Sequence, residues 1–353
     1  MSQPITTHPI QPMQSKGRIE YIDALRGFTM ILVVFQHIAT YCWQIKGLKI
    51  SVHDYLILIR MPMFFFISGF VLYKTGVEWN IKHIIKFFRK KIPVQLISPF
   101  LFFLVFIHSQ HMSFYEEITA NNKAGYWFTF ILLVYYIFYA IGKFCFRGKW
   151  SNIVLVLLGV FLAFVNWPPI YDSIPLSETV KGTLSIENWR FFLFFILGSV
   201  TREYLPQAEK LLDSKWFLPF CILSFFLLNA FKDDFGFKSP PLVVFIMLAG
   251  LVVLFSFFRV YQKSFSKEKA LGRTLQYIGR RTLDVYLIHF FLIPRNLTFV
   301  TLFTDHPMPI IEATCTLIIS LLIVAASLLI GNIFRLSPFL AHWLFGAKYP
   351  SKQ

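Results

Sequence analysis

Long apolar stretches alternate with short polar segments along almost the whole chain. Ten of these stretches approach the ~17–25 residues that a helix needs to cross a bilayer. They lie at residues 24–43, 55–73, 92–109, 126–142, 151–167, 189–204, 215–231, 240–258, 281–303 and 310–334. The pattern therefore predicts an all-α integral membrane protein, built as a polytopic bundle of about ten transmembrane helices.

The polar segments between these stretches carry an uneven distribution of positive charge. If the N-terminus is cytoplasmic, the two terminal segments and the even-numbered loops hold 25 of the 34 lysine and arginine residues. This bias follows the positive-inside rule and predicts that both the N- and C-termini are cytoplasmic. We expect a cytoplasmic tail at residues 1–20, one transmembrane domain at 21–345 and a second cytoplasmic tail at 346–353.

The composition excludes several classes of protein. Hydrophobic residues make up 56% of the chain, and charged residues make up only 15%, against about 25% in soluble domains. A disordered chain, a disulfide scaffold and an ordinary soluble enzyme are therefore excluded. The net charge of +16 is explained by topology and by contact with lipid headgroups, so we expect the bilayer as a partner and no nucleic acid. No metal site is predicted.

The first apolar stretch contains ionisable residues that need a polar environment. A charged side chain inside a bilayer is unfavourable by several kcal/mol unless it faces a polar interior. Arg26 and His37 are eleven residues apart, which places them on one helix face roughly 16 Å apart along the axis. Asp23 is expected to pair with Arg26, and an imidazole suits proton transfer near neutral pH. The alternative is that Arg26 extends to the membrane surface and His37 bonds to a neighbouring helix.

Five short motifs follow one another in the order typical of a known family. The first is Asp-Ala-Leu-Arg-Gly at residues 23–27, with His37 eleven residues after the arginine. The others are Met-Pro-Met-Phe-Phe-Phe-Ile-Ser-Gly-Phe at 61–70, the basic run at 86–93, Tyr-Trp-Phe at 126–128, and Gly-Arg-Arg-Thr-Leu through Tyr-Leu-Ile-His at 279–289. Over residues 18–345 the sequence resembles the membrane-bound acyltransferase-3 family.

The sequence departs from the pattern of that family at two motif positions. Arg60 stands where the family often has a histidine, and Thr129 follows Trp127-Phe128 where the family has a leucine. Neither departure touches the pair on the first helix, but both bear on acceptor specificity. Many members append an esterase-like hydrolase domain, which we do not expect here.

The resemblance implies transfer of an acyl group, with acetyl expected, from cytoplasmic acyl-CoA to a hydroxyl of a cell-surface glycan or a lipid-linked sugar. Acyl-CoA is then a co-substrate, with no tightly bound cofactor, and the protein is a multi-pass component of the bacterial cytoplasmic (inner) membrane. His37 and Arg26 are the implied catalytic pair. His37 acts either as a general base or as an acyl carrier, and Arg26 contacts either the CoA phosphates or the thioester oxyanion.

Further residues are candidates for binding the two substrates. The phosphates of CoA are expected to meet cationic side chains, since arginine and lysine both bind phosphate. Together with Arg26, the candidates are Lys86, Arg89, Lys90, Lys91, Arg280 and Arg281. The candidates for the acceptor path are Arg60, Trp127, Tyr286 and His289. Asp284 either joins this path or pairs with Arg280, four residues earlier.

A proton-coupled transporter or exporter of a small molecule or glycan is the alternative function. Such a protein would use Arg26 and His37 as a proton relay. The order of the five motifs and the lack of a visible internal repeat favour the enzyme. The oligomeric state stays open, because helix faces with small residues serve contacts within and between subunits alike.

Overall fold

The structure is a computed structural model that describes residues 18–42, 52–230, 240–294 and 308–347, and within these ranges it contains helices and no strands. The first nine helices are α1 (Glu20–Tyr41), α2 (Val52–Leu72), α3 (Ile81–Ile92), α4 (Ser98–Ser109), α5 (Phe114–Thr119), α6 (Trp127–Cys145), α7 (Lys149–Ala163), α8 (Pro168–Ser173) and α9 (Glu178–Thr183). The remaining helices are α10 (Phe192–Glu203), α11 (Leu205–Leu212), α12 (Phe217–Ala230), α13 (Pro240–Val260), α14 (Ala270–Arg280), α15 (Thr282–Leu292), α16 (Pro309–Phe334) and α17 (Pro338–Phe345).

Several helices of the described chain are long and apolar enough to cross a membrane. Six helical segments qualify, namely Glu20–Tyr41, Tyr55–Leu72, Ile81–Ser109, Trp127–Cys145, Pro241–Val260 and Ile310–Phe334. The segment Ile81–Ser109 comprises α3 and α4, joined by a π-helical turn at Pro93–Ile97. Helices α11 and α12 meet at a bend of 72° and make a seventh crossing if they are counted together. The protein is an all-α, multi-pass membrane protein.

The other predicted stretches coincide with shorter or interrupted helices. The stretch 151–167 ends as a helix at Ala163, ahead of two consecutive prolines. The stretch 189–204 begins as a 3-10 turn, which leaves α10 with only 12 residues. Proline lacks the N–H that a helix requires and disfavours helical geometry before it, so helices stop near it. The end of the ninth stretch, from residue 295, and most of the two predicted tails lie outside the described residues.

Two pairs of helices in the bundle pack backbone against backbone, and glycine permits both contacts. Gly27 of α1 faces Gly279 of α14, and a Cβ at Gly27 would collide with the carbonyl oxygen of Leu275. Gly69 of α2 and Gly198 of α10 likewise lie against the backbone of the opposing helix. In lipid, such close packing of small residues is a main source of helix association. These contacts hold α1 and α2, which carry Arg26, His37 and Arg60 of the predicted site.

Aromatic side chains fill the centre of the bundle and apolar side chains cover its outside. The ring of Phe65 is fully buried and lies 4.9 Å from the ring of Tyr135 and 5.6 Å from that of Phe191, centroid to centroid. Large apolar side chains such as Leu322 and Leu329 of α16 face outward. This arrangement suits a bundle whose surroundings are lipid tails.

Candidate active site

One large cavity, of about 1040 Å³, lies inside the bundle and is lined by both Arg26 and His37. Met30 and Val33 lie between them in the lining. The four residues are spaced by four, three and four positions, which places their side chains on the same face of α1. Trp127 and Lys143, near opposite ends of α6, also line the cavity. The cavity therefore extends along ~24 Å of this helix.

Behind the cavity wall at His37 lie aromatic rings of α15 and of Tyr126, the residue before α6. The centroid of the His37 ring lies 4.7 Å from that of Phe290 and 5.4 Å from that of His289. The ring of Tyr126 lies 5.5 Å from Phe290, and its hydroxyl donates a hydrogen bond of 2.9 Å to the carbonyl oxygen of Leu287. His37 thus sits beside the start of α6, whereas Lys143 marks the opposite end of the cavity.

His289 is completely buried and lies behind the cavity wall rather than in it. Its Nδ1 lies 2.8 Å from the carbonyl oxygen of Val285. A carbonyl can only accept, so Nδ1 carries the proton and Nε2 keeps its lone pair in the neutral ring. Among the described residues, Nε2 has no hydrogen-bond partner. A second imidazole with an unused acceptor therefore supports the His37 ring.

The guanidinium of Arg26 faces the cavity and, within the described ranges, has no carboxylate at ion-pair distance. The predicted pair between Asp23 and Arg26 is wrong. Asp23 binds Arg18 instead, with 3.0 Å between Arg18 Nη2 and Asp23 Oδ1. Arg18 precedes α1, so its side chain can fold back over the first turn of the helix. Arg26 is left available to an anionic ligand.

Positive charge is in excess along the cavity. Its lining contains six cationic residues that form no ion pair with other described residues, namely Arg26, Arg60, Lys74, Lys91, Arg147 and Arg280. Two of the lining carboxylates are already paired, Glu203 with Lys143 at 3.5 Å and Asp284 with Arg335 at 2.6 Å. Glu78 is the third lining carboxylate. The balance favours a ligand with several negative charges.

Helix α3 turns one of its predicted basic residues into the cavity. Lys91 lines the cavity together with His83 and Phe87, because residues four apart lie on the same helix face. The Nζ atom of Lys91 lies 4.9 Å from the ring centroid of Tyr136. The other three predicted basic residues of this helix are outside the cavity lining and exposed, namely Lys86, Arg89 and Lys90.

The basic residues at the end of α14 have different environments. Arg280 lines the cavity, whereas Arg281 does not and contacts Asp284 and Asn332 at 3.3 and 3.0 Å. Arg335 binds both carboxylate oxygens of Asp284, at 2.7 and 2.6 Å. The pairing of Asp284 with Arg280 is therefore not formed. Arg335 lines the cavity too, but it lies outside every recognised motif, so the sequence offers no signal for it beyond its charge.

Three of the four candidates for the acceptor path line the cavity, namely Arg60, Trp127 and Tyr286. The fourth, His289, lies outside the lining and packs against the ring of His37. The Nε atom of Arg60 is buried without a hydrogen-bond partner among the described residues. The Tyr286 hydroxyl donates to the carbonyl oxygen of Gly125 at 3.4 Å, which connects α15 to the loop before α6.

That loop is held by a buried lysine that the sequence analysis did not single out. Lys123 donates hydrogen bonds to the carbonyl oxygens of Ile118, Ala120 and Gly182, at 3.0, 3.1 and 3.1 Å. Burial lowers the pKa of Lys123 to about 8. Because Lys123 immediately precedes the segment that ends in Trp127, its three hydrogen bonds position one wall of the cavity.

Comparison with known proteins agrees with the motif pattern. The family model of acyltransferase 3, described as an acyltransferase domain, matches residues 19–329. The glucans biosynthesis protein C of Salmonella typhi is 23% identical over 385 aligned positions, which cover 94% of this chain and 96% of that protein. No solved structure matches the chain. Since the family model covers most of its length, this chain belongs to the acyltransferase 3 family.

Proposed function

We propose that this protein is an O-acyltransferase that moves an acyl group, acetyl in the first instance, from cytoplasmic acyl-CoA to a hydroxyl of a glycan. Membership of the acyltransferase 3 family supports membrane acyltransferase activity. The observation that carries the finer proposal is one cavity that has His37 at one end and, mainly towards the other end, cations without an ion-pair partner among the described residues. Such a cavity suits a polyanionic donor that delivers its acyl group to a buried imidazole.

The proposed arrangement in the membrane is ten crossings with both termini in the cytoplasm of a bacterium. The distribution of basic residues supports it. Besides the six long segments, the bent pair of α11 and α12, the short apolar helices Lys149–Ala163 and Thr282–Leu292, and α10 are counted as crossings in this arrangement. Residues 21–345 then form one domain in the cytoplasmic membrane. The basic end of the cavity, lined by Lys91, Arg147 and Arg280, opens to the cytoplasm.

Acyl-CoA is proposed to enter at the basic end. Its phosphates meet Lys91, Arg147 and Arg280, which have no carboxylate partner among the described residues. Trp79 lines the same end, with its ring 5.2 Å from that of Tyr139, and offers an aromatic surface to the adenine. Arg26 contacts a phosphate or the thioester oxygen, and the thioester extends towards His37.

His37 is proposed to act as the general base. It removes the proton of the acceptor hydroxyl, and the oxygen attacks the thioester carbonyl carbon. The carbon–sulfur bond breaks, and the CoA thiolate takes the proton from the His37 imidazolium, which restores both partners. If His37 instead carries the acyl group, an acyl-imidazole forms first and the acceptor attacks it in a second step. Trapping of an acyl-enzyme from acyl-CoA alone separates the two routes.

The acceptor is proposed to be a glucan or another cell-surface or lipid-linked glycan. The name of the relative, a glucans biosynthesis protein, supports this class. The far end of the cavity contains Arg60, Trp127 and Tyr286, which supply a guanidinium, an indole and a phenol. These groups recognise the hydroxyls and the apolar ring faces of sugars.

The test compares purified His37→Ala with His108→Gln, which alters an exposed histidine outside the cavity. Both proteins are incubated with radiolabelled acetyl-CoA and a glucose oligosaccharide. We expect His37→Ala to lose transfer at least a hundredfold while retaining its thermal unfolding temperature, and His108→Gln to match the wild type. Unchanged transfer in His37→Ala contradicts the mechanism. Uptake of the saccharide into proteoliposomes without acylation supports a transporter instead.

A further inference from the structure

A second cavity, of about 410 Å³, lies between the end of α7 and the beginnings of α10 and α13. It shares no lining residue with the cavity that contains His37. Its polar lining residues are Asn166, Tyr171, Asp172, Glu187 and Arg190. Apolar side chains, including Phe194 and Met247, complete the wall. This second cavity has no part in the mechanism proposed above.

Some polar groups of the second cavity have no partner within the described fold, although the Tyr171 hydroxyl donates to Glu178 at 3.4 Å. The Oδ1 atom of Asn166 and the Nε atom of Arg190 are buried without a hydrogen-bond partner in the described part of the chain. Asp172 and Glu187 are exposed, and their carboxylates form no ion pair with any described residue, Arg190 included, so both are free to accept hydrogen bonds. Buried polar groups are nearly always hydrogen-bonded in native proteins. A polar ligand would supply the partners that the buried atoms of Asn166 and Arg190 lack.

The combination of groups favours a hydroxyl-rich ligand without net charge. Carboxylates accept hydrogen bonds, a guanidinium donates them, and an amide does both. A sugar hydroxyl donates and accepts, so it can bond to each of these groups. Two carboxylates, Asp172 and Glu187, against the single guanidinium of Arg190 give the cavity a net negative charge, which disfavours a phosphate or another anion. The apolar wall suits the C–H faces of sugar rings.

The second cavity adjoins the His37 end of the first through two aromatic residues. The guanidinium carbon of Arg190 lies 4.8 Å from the ring centroid of Phe191. The Phe191 ring stacks on Trp127 with 6.1 Å between centroids, and Trp127 lines the first cavity. A ligand in the second cavity is therefore close to the end where an acceptor hydroxyl would meet His37.

We infer that the second cavity is a binding subsite for a neutral saccharide, which holds sugar units of the acceptor remote from the reacting hydroxyl. Contacts to remote parts of a substrate supply binding energy that positions the reacting group. The role as an acceptor subsite rests on the proposed function, whereas saccharide binding itself can be measured without any acyl transfer.

The test measures binding of a linear glucose tetrasaccharide to the full-length protein in detergent by saturation-transfer NMR and calorimetry. Glu187→Gln and Asp172→Asn each remove a charged acceptor with little change of shape. We expect each to weaken binding about tenfold, the usual effect of losing a hydrogen bond to a charged group. Val244→Phe places a larger side chain in the cavity wall and should weaken binding at least as much.

The matched control is Glu116→Gln, which removes one exposed carboxylate of α5 outside both cavities. It should bind the tetrasaccharide as the wild type does. The inference is overturned if the wild type does not bind the tetrasaccharide, if all three cavity variants bind it equally well, or if glycerol phosphate competes for the same site. A different outcome would separate the two proposals. If the wild type binds the tetrasaccharide, Glu187→Gln weakens that binding, and the wild type transfers no acetyl group, the subsite is supported and the proposed function is refuted.

Discussion

The imidazole rings of His37 and His289 lie 5.4 Å apart, with an angle of 31° between their planes. The two residues come from α1 and α15, near opposite ends of the chain. His37 lines the cavity and His289 is buried behind it, with Nδ1 bound to the carbonyl oxygen of Val285. The His37 ring can therefore contact a substrate, whereas the His289 ring packs against the His37 ring and supports its position.

Replacing the supporting ring should slow the chemical step without weakening donor binding. We expect His289→Gln to lower kcat by roughly ten- to hundredfold, since a general base acts only when it is correctly oriented. The KM for acetyl-CoA should stay within about twofold, because His289 does not line the cavity. Steady-state kinetics of His289→Gln and of the exposed-histidine control His108→Gln checks this. A rise in KM with constant kcat would assign His289 to binding.

Two neighbouring lysines of α3 should differ in their effect on donor binding. Lys91 lines the cavity, whereas Lys90 is exposed and outside it. We expect Lys91→Met to raise the Kd for CoA about tenfold through loss of a charge-assisted phosphate contact, and Lys90→Met to change it less than twofold. Calorimetry with CoA in detergent measures both. Equal losses would mean that the phosphates bind the exposed face of α3.

A methyl group at the crossing of α1 and α14 should destabilise the bundle. In Gly27→Ala the new Cβ would collide with the Leu275 carbonyl oxygen, which forces the helices apart at a cost of about 1–3 kcal/mol. A lower unfolding temperature in detergent is expected. Gly76→Ala is the control, because a Cβ there meets nothing within 4 Å and only the φ of +76° is unfavourable. An unchanged unfolding temperature in Gly27→Ala would rule out the collision.

The buried Lys123 should make stability depend on pH in a defined window. Its folded pKa is about 8, whereas an unfolded lysine has a pKa of about 10.4. Between these values the unfolded state binds more protons, so the free energy of unfolding rises with pH above about 8. Below pH 8 both states are protonated and the contribution is constant.

We expect the wild type to gain about 1–2 kcal/mol between pH 7.5 and 9.5 relative to Lys123→Met, a discounted value for a partly screened group. Chemical unfolding in detergent at several pH values gives this difference. Lys149→Met, on an exposed lysine, should keep the wild-type slope. A wild-type slope in Lys123→Met as well would show that another group titrates in this window.

The glycine contacts illustrate what the sequence indicates only in part. Apolar periodicity predicts that α1 is a helix, and it places Arg26 and His37 on one face because the helical repeat is fixed. It does not reveal that Gly27 meets Gly279, since helix association in lipid depends on backbone contact between segments far apart in sequence. The same limit applies to Asp284, whose partner Arg335 lies on a different helix end.

Hydropathy and helical periodicity are local properties, so the amino-acid sequence was enough to predict a helical membrane protein, and its motifs indicated the family and the pair on α1. Which basic residues face the cavity follows from the packing of the helices. It selected Lys91 over Lys86, Arg89 and Lys90, and it added Arg335 from beyond the motifs. The reason is geometric: a cavity lies between helices, and the face that a helix turns towards it depends on the neighbours it packs against.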